Sequence, residues 1–415
     1  MPLKKLNFVP GFNKQVTASG AEGQWIDGDF VRFRSGLPEK IGGWKQLTAA
    51  QKELPGVARA QHAFTSLSGE KYTAIGTSQG LFLYYDEDFY DITPLATGIS
   101  GATFTSTNNS ATVTINKTSH GLAQGRYVTF SSVTLPGAGA TGYAVADFTG
   151  KTYEIITSAT NSFTITMSAV ESGTGMTAAG AATIDPYEII GPTFQTTGYG
   201  WGTYLWGDST WGTARTTSDV VLDPANWSLD NFGEVLVATI HNGKTFTWNA
   251  GAVGARTVRA STSTSSFATT NNPTASIMTL VSDRDRHLFH LGTETTIGTP
   301  ATQDPMFIRF SNQEDLNSYT PTATNTAGTF RLDAGSEIRG AVNAKDYTLV
   351  LTDRAAYTIQ FVGPPFTFSI RQVGTNCGCI SQHGIVYANG AVYWMGDAGG
   401  FFVFDGTVKS LPCAV

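Results

Sequence analysis

YTAIGTSQGLFLYYD, at Tyr72–Asp86, is a short β-run, a tight turn and a second, aromatic β-run. The phrase returns as VLVATIHNGKTFTWN at Val235–Asn249 and as TLVLTDRAAYTIQF at Thr348–Phe361. A last copy reads AVYWMGDAGGFFVFDG at Ala391–Gly406, and a looser one runs from His287 to Phe310 with a longer link. One hairpin leaves its apolar face uncovered, whereas several side by side cover one another. The chain therefore reads as a repetitive all-β scaffold. Antiparallel hairpins are expected at 72–85, 235–248, 347–361 and 391–404.

Composition narrows the class. Only 14% of the 415 residues are charged, below the roughly 25% usual for a soluble domain. With 25 Phe, 15 Tyr and 8 Trp the chain has much to bury, which excludes a disordered chain. The formal net charge of −6 argues against a large DNA-gripping surface, since phosphate binding needs clustered Lys and Arg. The first 60 residues run the other way, with nine Lys or Arg against five Asp or Glu. Lys4, Lys5, Arg32 and Arg34 make this arm a candidate contact for an acidic partner. The opening, MPLKKLNFVPGF, lacks the apolar run of a signal peptide. No stretch approaches the 18 apolar residues of a spanning helix, so synthesis in a cytoplasm is expected.

Repeat starts near residues 72, 235, 288, 347 and 392 give spacings of about 45 to 75 once an insert is removed. That suits four-stranded propeller blades and a six- or seven-bladed ring, completed by the arm or by further chain. The fold class expected is all-β: a β-propeller with an inserted small β-barrel or β-sandwich domain. Residues 1–60 form an arm with one expected strand around Phe30, Val31 and Phe33, in which Trp25 and Trp44 are candidate anchors. Residues 61–97 are the first blade and 191–415 the remaining ones. At Gly98 the texture changes to Thr, Ser and Ala in period-two runs such as ATVTINK, YVTF, KTYEII and SFTITM, bounded by turn residues. Residues 98–190 are thus an inserted domain, and a surface-loop insertion costs its host little. Tyr199 to Trp211 alternates aromatics with Gly; Trp201, Trp206 and Trp211 are expected to pack on the scaffold or on a neighbouring subunit.

Candidate chemistry is sparse. There is no Walker loop, HExxH, GxSxG or dinucleotide fingerprint. In SDRDRHLFH an extended backbone would put Asp283, Asp285 and His287 on one face and turn His290 away. The bland reading, a charged hairpin turn, is preferred to a metal site. Asp27 and Asp29 would share a face if extended, where they could bind a cation or pair with Arg32 and Arg34; salt-bridge or solvent roles are preferred. His120, before Gly121, is expected to bind a nearby loop, not to catalyse. Cys377 and Cys379 read as buried small residues; with Cys413 they form no disulfide framework. No catalytic, cofactor-binding or metal residue is assigned, and no enzymatic activity is expected.

Three blocks carry a resemblance. The opening MPLKKLNFVPGFNKQ with WIDGDFVRFRSGLPEKIGGW resembles the amino-terminal signature of tail-nozzle, or packaged-DNA stabilisation, proteins of short-tailed bacteriophages. FIRFSNQEDLNSYTPTATNTAG at Phe307–Gly328, continued by RLDAGSEIRGAV, looks like a second shared block. GAVYWMGDAGGFFVFDGTVKSLPC at Gly390–Cys413 looks like a third. The resemblance implies a β-propeller protomer in a homohexameric ring below the portal and its adaptor protein. Such a ring retains packaged duplex DNA, passes it non-specifically through its lumen on ejection, and carries tail fibres or a needle. It implies a virion tail location after assembly in the host cytoplasm, and a chain continuing past Val415. It supplies no catalytic residues and no cofactor. The alternative is a carbohydrate-binding or depolymerising tail protein, with a groove lined by Trp201, Trp206 and Trp211 beside convergent carboxylates.

Overall fold

The computed structural model describes residues 9–14, 16–43, 53–137, 141–192, 224–252, 254–261 and 272–412. The arm contains β1 (Val9–Phe12), β2 (Gln24–Trp25), β3 (Val31–Arg34) and β4 (Leu37–Lys40). β1 pairs parallel with β2, and β3–β4 is an antiparallel hairpin, so the single strand expected there is two. Positive φ at Ser35 (51°) and Gly36 (82°) makes its turn.

The first blade is β5 (Ala58–Thr65), β6 (Lys71–Thr77), β7 (Leu81–Tyr85) and β8 (Asp88–Asp91), a four-stranded antiparallel meander. It starts within the stretch read as arm. The insert follows with β9 (Ile99–Ser106), β10 (Thr112–Asn116), β11 (Tyr127–Thr134), the single helical turn α1 (Val145–Phe148), β12 (Tyr153–Glu154), β13 (Thr157–Ala159), β14 (Ser162–Thr166) and β15 (Ala179–Pro186). These strands make one sheet of their own, ordered β12-β11-β15-β9-β10-β14-β13. β12 and β13 lie at opposite edges, yet only Ile155 and Ile156 separate them in the chain. So short a link spans about 10 Å, so the sheet has to curl into a barrel. Its interior holds Phe104, Val113, Ile115, Phe130, Phe163 and Ile165, inward members of the strands, together with Phe148 of α1.

The second blade is β16 (Trp227–Phe232), β17 (Val235–Ile240) and β18 (Thr245–Asn249); an isolated bridge from Thr247 to Ser261 stands where a fourth strand would pair. The third is β19 (Ser276–Val281), β20 (Leu288–Thr293), β21 (Phe307–Phe310) and β22 (Gly328–Arg331). The fourth is β23 (Ile338–Asn343), β24 (Thr348–Thr352), β25 (Ala355–Gly363) and β26 (Thr367–Thr375). The fifth is β27 (Ile385–Ala388), β28 (Ala391–Met395), β29 (Phe401–Phe404) and β30 (Val408–Leu411). All five are antiparallel meanders, the repeat unit of a propeller. The four expected hairpins are β6–β7, β17–β18, β24–β25 and β28–β29, the second and third strands of their sheets. The fold class is all-β, blades with an inserted small barrel.

The chain divides into two compact units, residues 53–331 and residues 1–52 with 332–415. In the first, β5 packs beside β16 and β16 beside β19, so the first strands of three successive sheets adjoin. Blades one and two share a core of Phe64, Tyr72, Leu81, Leu83, Trp227, Leu236 and Trp248. Gly76 permits this contact, because a Cβ there would stand 2.5 Å from the Trp227 ring. The Trp227 indole N–H donates to the Thr77 carbonyl at 2.9 Å. The second unit repeats the device: Trp394 donates to the Cys377 carbonyl at 2.9 Å, between blades four and five. An indole buries much apolar area while its N–H finds a carbonyl, which suits a blade joint.

Candidate functional site

Of the candidate interface residues, Lys4, Lys5, Trp44, Trp201, Trp206 and Trp211 lie outside the described residues. Trp25, Arg32 and Arg34 lie on the arm. The half-buried Trp25 ring is 6.4 Å from Phe33, which meets Phe12 edge-on at 5.3 Å. Arg32 pairs with Glu39 across the β3–β4 hairpin at 3.1 Å, and Asp27 pairs with Lys14 at 3.0 Å. Asp27 thus takes the preferred salt-bridge role, with Lys14 as its partner in place of Arg32 or Arg34, because the cross-strand register puts Glu39 opposite Arg32. The Lys14 ammonium holds the Asp27 carboxyl below its usual range. Arg34 is exposed, and so are the apolar side chains of Phe30 and Leu37. The described part of the arm thus offers a surface of mixed charge with exposed apolar side chains.

A polar cluster lies where the first strands meet. Asp230 on β16 is 8% exposed; it accepts the Val281 N–H of β19 at 2.7 Å and the Asn231 N–H at 2.8 Å. Asn231 donates its amide to the Gly233 carbonyl at 2.9 Å, which turns Oδ1 toward His62. His62 Nε2 then donates to that oxygen at 2.8 Å and stands 3.9 Å from the Asp230 carboxylate. Burial raises the Asp230 carboxyl to about 6, against the pull of the Val281 N–H and of His62. The carboxylate splints one strand edge to the next, with both oxygens committed.

The root of the insert is a second polar knot. Antiparallel backbone bonds join Ala96 N to Pro186 O at 2.8 Å and Glu188 N to Pro94 O at 3.0 Å. Arg259 donates to Asp91 at 3.1 Å, to the Tyr187 hydroxyl at 3.1 Å and to the Thr93 carbonyl at 3.0 Å. Tyr187 in turn donates to Asp91 and lies under the Arg259 guanidinium, 4.8 Å from ring centre. Burial, then the Asp91 charge, pushes the Tyr187 hydroxyl well above its ordinary value. Blade one, the insert and the segment after blade two are tied at one point. Beside it is a cleft of about 370 Å³ lined by Leu95, Thr97, Glu188, Lys244, Phe246 and Pro273.

Asp283 and Asp285 lie in the charged hairpin turn that the preferred reading expects. Ser282–Arg286 is a turn between β19 and β20, so Asp283, Asp285 and His287 share no strand face. His287 is buried and meets Thr326 Oγ1 at 3.0 Å; His290 is fully buried on β20. Among the described residues no three His, Cys, Asp or Glu side chains converge to hold a metal ion. His120 meets the Ala159 carbonyl at 2.7 Å and accepts the Leu122 N–H at 3.1 Å, with Gly121 at φ 68°. Cys377 and Cys379 are buried free thiols in the core between blades four and five; they lie past β26, not on it, and burial raises both above the ordinary thiol range.

Sequence reasoning missed Glu171, a fully buried carboxylate in the insert. It accepts Ser106 Oγ at 2.7 Å, Thr141 Oγ1 at 2.9 Å and the N–H groups of Gly142 and Gly173. Burial alone would raise its pKa; the four donors outweigh it and lower it. A lone Glu in a Gly- and Ser-rich stretch gives no sign of this.

No family model matches the chain, and no curated protein sequence matches it. Among solved structures, the phage phi92 endosialidase overlaps 86% of this chain at 14% identity and a TM-score of 0.27. The match spans about half, 55%, of the endosialidase chain. A Synechocystis apocarotenoid oxygenase overlaps 75% of this chain and 70% of its own at 10% identity and a TM-score of 0.27. The extracellular domain of a one component system from B. thetaiotaomicron overlaps 92% and 68% at 12% identity and a TM-score of 0.26. Overlaps at such TM-scores carry no argument about function. What the chain itself defines is an all-β blade protein with a tied-down inserted barrel.

Proposed function

We propose that this chain is a subunit of the tail nozzle of a short-tailed bacteriophage, a ring below portal and adaptor that retains the packaged genome and conducts it on ejection. The observation that carries the reading is where the three family-like blocks fall. The first covers the arm hairpin β3–β4, the second β21 and its loop to β22, and the third the whole of β28, β29 and β30. The middle block builds its own loop: Asn312 Oδ1 accepts from the Thr326 N–H and hydroxyl, both at 3.0 Å. Each block thus corresponds to a structural element.

The physics of a conduit agrees. Tight phosphate contacts would slow DNA, and a chain of net charge −6 provides few of them. A closed ring of identical subunits needs two different complementary patches on each copy. The arm, with exposed Phe30, Leu37 and Arg34, is the surface for the adaptor side. The protein works by geometry, without catalysis. Deleting residues 1–45 is the test: the blades should stay folded while particles lose head-to-tail attachment. Normal attachment by the deletion variant removes the arm from the mechanism. Release of product from cell-surface polysaccharide, abolished by one Asp or Glu substitution, replaces the nozzle with a depolymerising tail protein.

A further inference from the structure

The β25–β26 hairpin of blade four runs past its own sheet. β24 pairs with β25 only as far as Ile359, which stands opposite Thr348. Beyond it β25 and β26 pair with each other alone, through Gln360 and Ser369, Phe361 and Phe368, and Gly363 and Thr367. At the usual strand rise the overhang from Ile359 to Gly363 is about 13 Å long. Gly363 at φ 80° and Thr367 at φ 50° close it with a turn of Pro364, Pro365 and Phe366. The Phe361 and Phe368 rings meet edge-on at 5.6 Å across the stem.

The tip is apolar where a hairpin turn in water is usually Asn, Asp, Gly or Ser. Phe366 is 79% exposed and Val362 54%, and both prolines are exposed. No charged residue stands between Arg354 and Arg371. The two prolines also strip two N–H donors from the turn. The Phe366 carbonyl accepts the Phe368 N–H at 2.5 Å. A turn with few backbone groups left to satisfy suits a lipid interior, which offers no water to an unpaired N–H. The first charge behind the tip is the exposed Arg371, opposite Thr358 on β25. It lies about 15 Å behind the turn, so its long side chain reaches lipid phosphates once the tip is about 5–10 Å deep.

A protein partner fits this tip less well. Val362 and Phe366 together present roughly 250 Å² of apolar surface, well short of the about 800 Å² that each partner of a stable protein interface buries. A bilayer sets no such minimum, because lipid closes around whatever side chain enters it. We propose that the Val362–Phe366 tip is a membrane-contact element: Phe366 and Val362 enter the interfacial layer of a bilayer, and Arg371 meets the headgroup phosphates.

The test is flotation of the purified full chain with vesicles of phosphatidylcholine, alone or mixed with the anionic phosphatidylglycerol. Wild type should float with both, and more strongly with the mixed vesicles. Phe366→Ser should cut binding at least about tenfold with an unchanged circular dichroism spectrum, since the side chain it removes packs on little of the protein. Arg371→Gln should weaken binding to the mixed vesicles and leave binding to phosphatidylcholine alone unchanged. Phe366→Trp should keep binding, and brominated lipid should quench it beyond the quenching of wild type with its eight tryptophans. Folded wild type that floats with neither vesicle, or Phe366→Ser that binds as wild type does, overturns the proposal. Self-association without lipid that Phe366→Ser abolishes makes the tip a contact between copies of this chain, and overturns it too.

Discussion

His290 should make the joint between blades two and three labile to acid. Burial is the first cause holding its pKa at about 3, with the Arg309 charge second, against about 6.5 for a free imidazole. A depressed folded-state pKa gives stability that is fully present above 6.5 and is lost as pH falls toward 3. From pH 7 to pH 4 the linkage relation gives a loss of about 3 kcal/mol for a shift of that size. The structural reason is that protonation puts a positive charge on an imidazole that is fully buried and paired across the strands with Arg309. His290→Gln removes the titration and keeps a polar group beside Ser276. Urea unfolding of wild type and variant at pH 7 and pH 4 gives four stabilities. The pH-dependent loss should be smaller in the variant by about 3 kcal/mol. Carbon-13 labelling of the six histidines reads the same quantity directly: of the imidazoles that stay neutral at pH 5, which include the buried His287, one is absent from the variant. An equal pH 7 to pH 4 loss in both proteins, or titration of His290 near 6.5, refutes the reasoning.

Asp230→Asn should act in the opposite sense. Its raised pKa of about 6 means that wild type loses up to about 3 kcal/mol as pH rises from 4 through 6, and the variant should show a flatter profile there. Gly76→Ala forces a Cβ to 2.5 Å from the Trp227 ring; calorimetry should show a destabilisation of about 1–3 kcal/mol. Arg259→Met removes the donor shared by Asp91 and Tyr187, so hydrogen exchange should quicken at Ala96 and Glu188 while the barrel interior stays protected. Unchanged exchange would mean that the backbone pairing alone holds the insert.

Much of this architecture is legible in the chain because alternation reports one-sided burial. LFLYY and VLVATI fall on β7 and β17, and the change of texture at Gly98 stands one residue before β9. A barrel and a sandwich read alike in the chain because pairing order is not written in strand composition; the short Ile155–Ile156 link decides for the barrel. At Asp283 and Asp285 charged alternation fits both a strand and a turn, and the turn that Ser282 closes is the one formed. Hardest to read is the buried polar row in which Ser228, Thr239 and Thr245 of blade two meet Thr279, His290 and Arg309 of blade three. Thr239, Thr279, His290 and Arg309 look like a solvent face, and only the pairing of one row with another buries them. Glu171 is hidden likewise, since its four donors come from positions as far apart as Ser106 and Gly173.

The central claim is the nozzle, and an electron-microscopy map of the parent particle tests it most directly. The expected density is a ring of identical copies of this chain beneath the portal and adaptor, with the arm toward the adaptor. Its bore should admit duplex DNA, about 20 Å across. Density for this chain in a peripheral spike or fibre, with no part of it around the DNA path, would contradict the account.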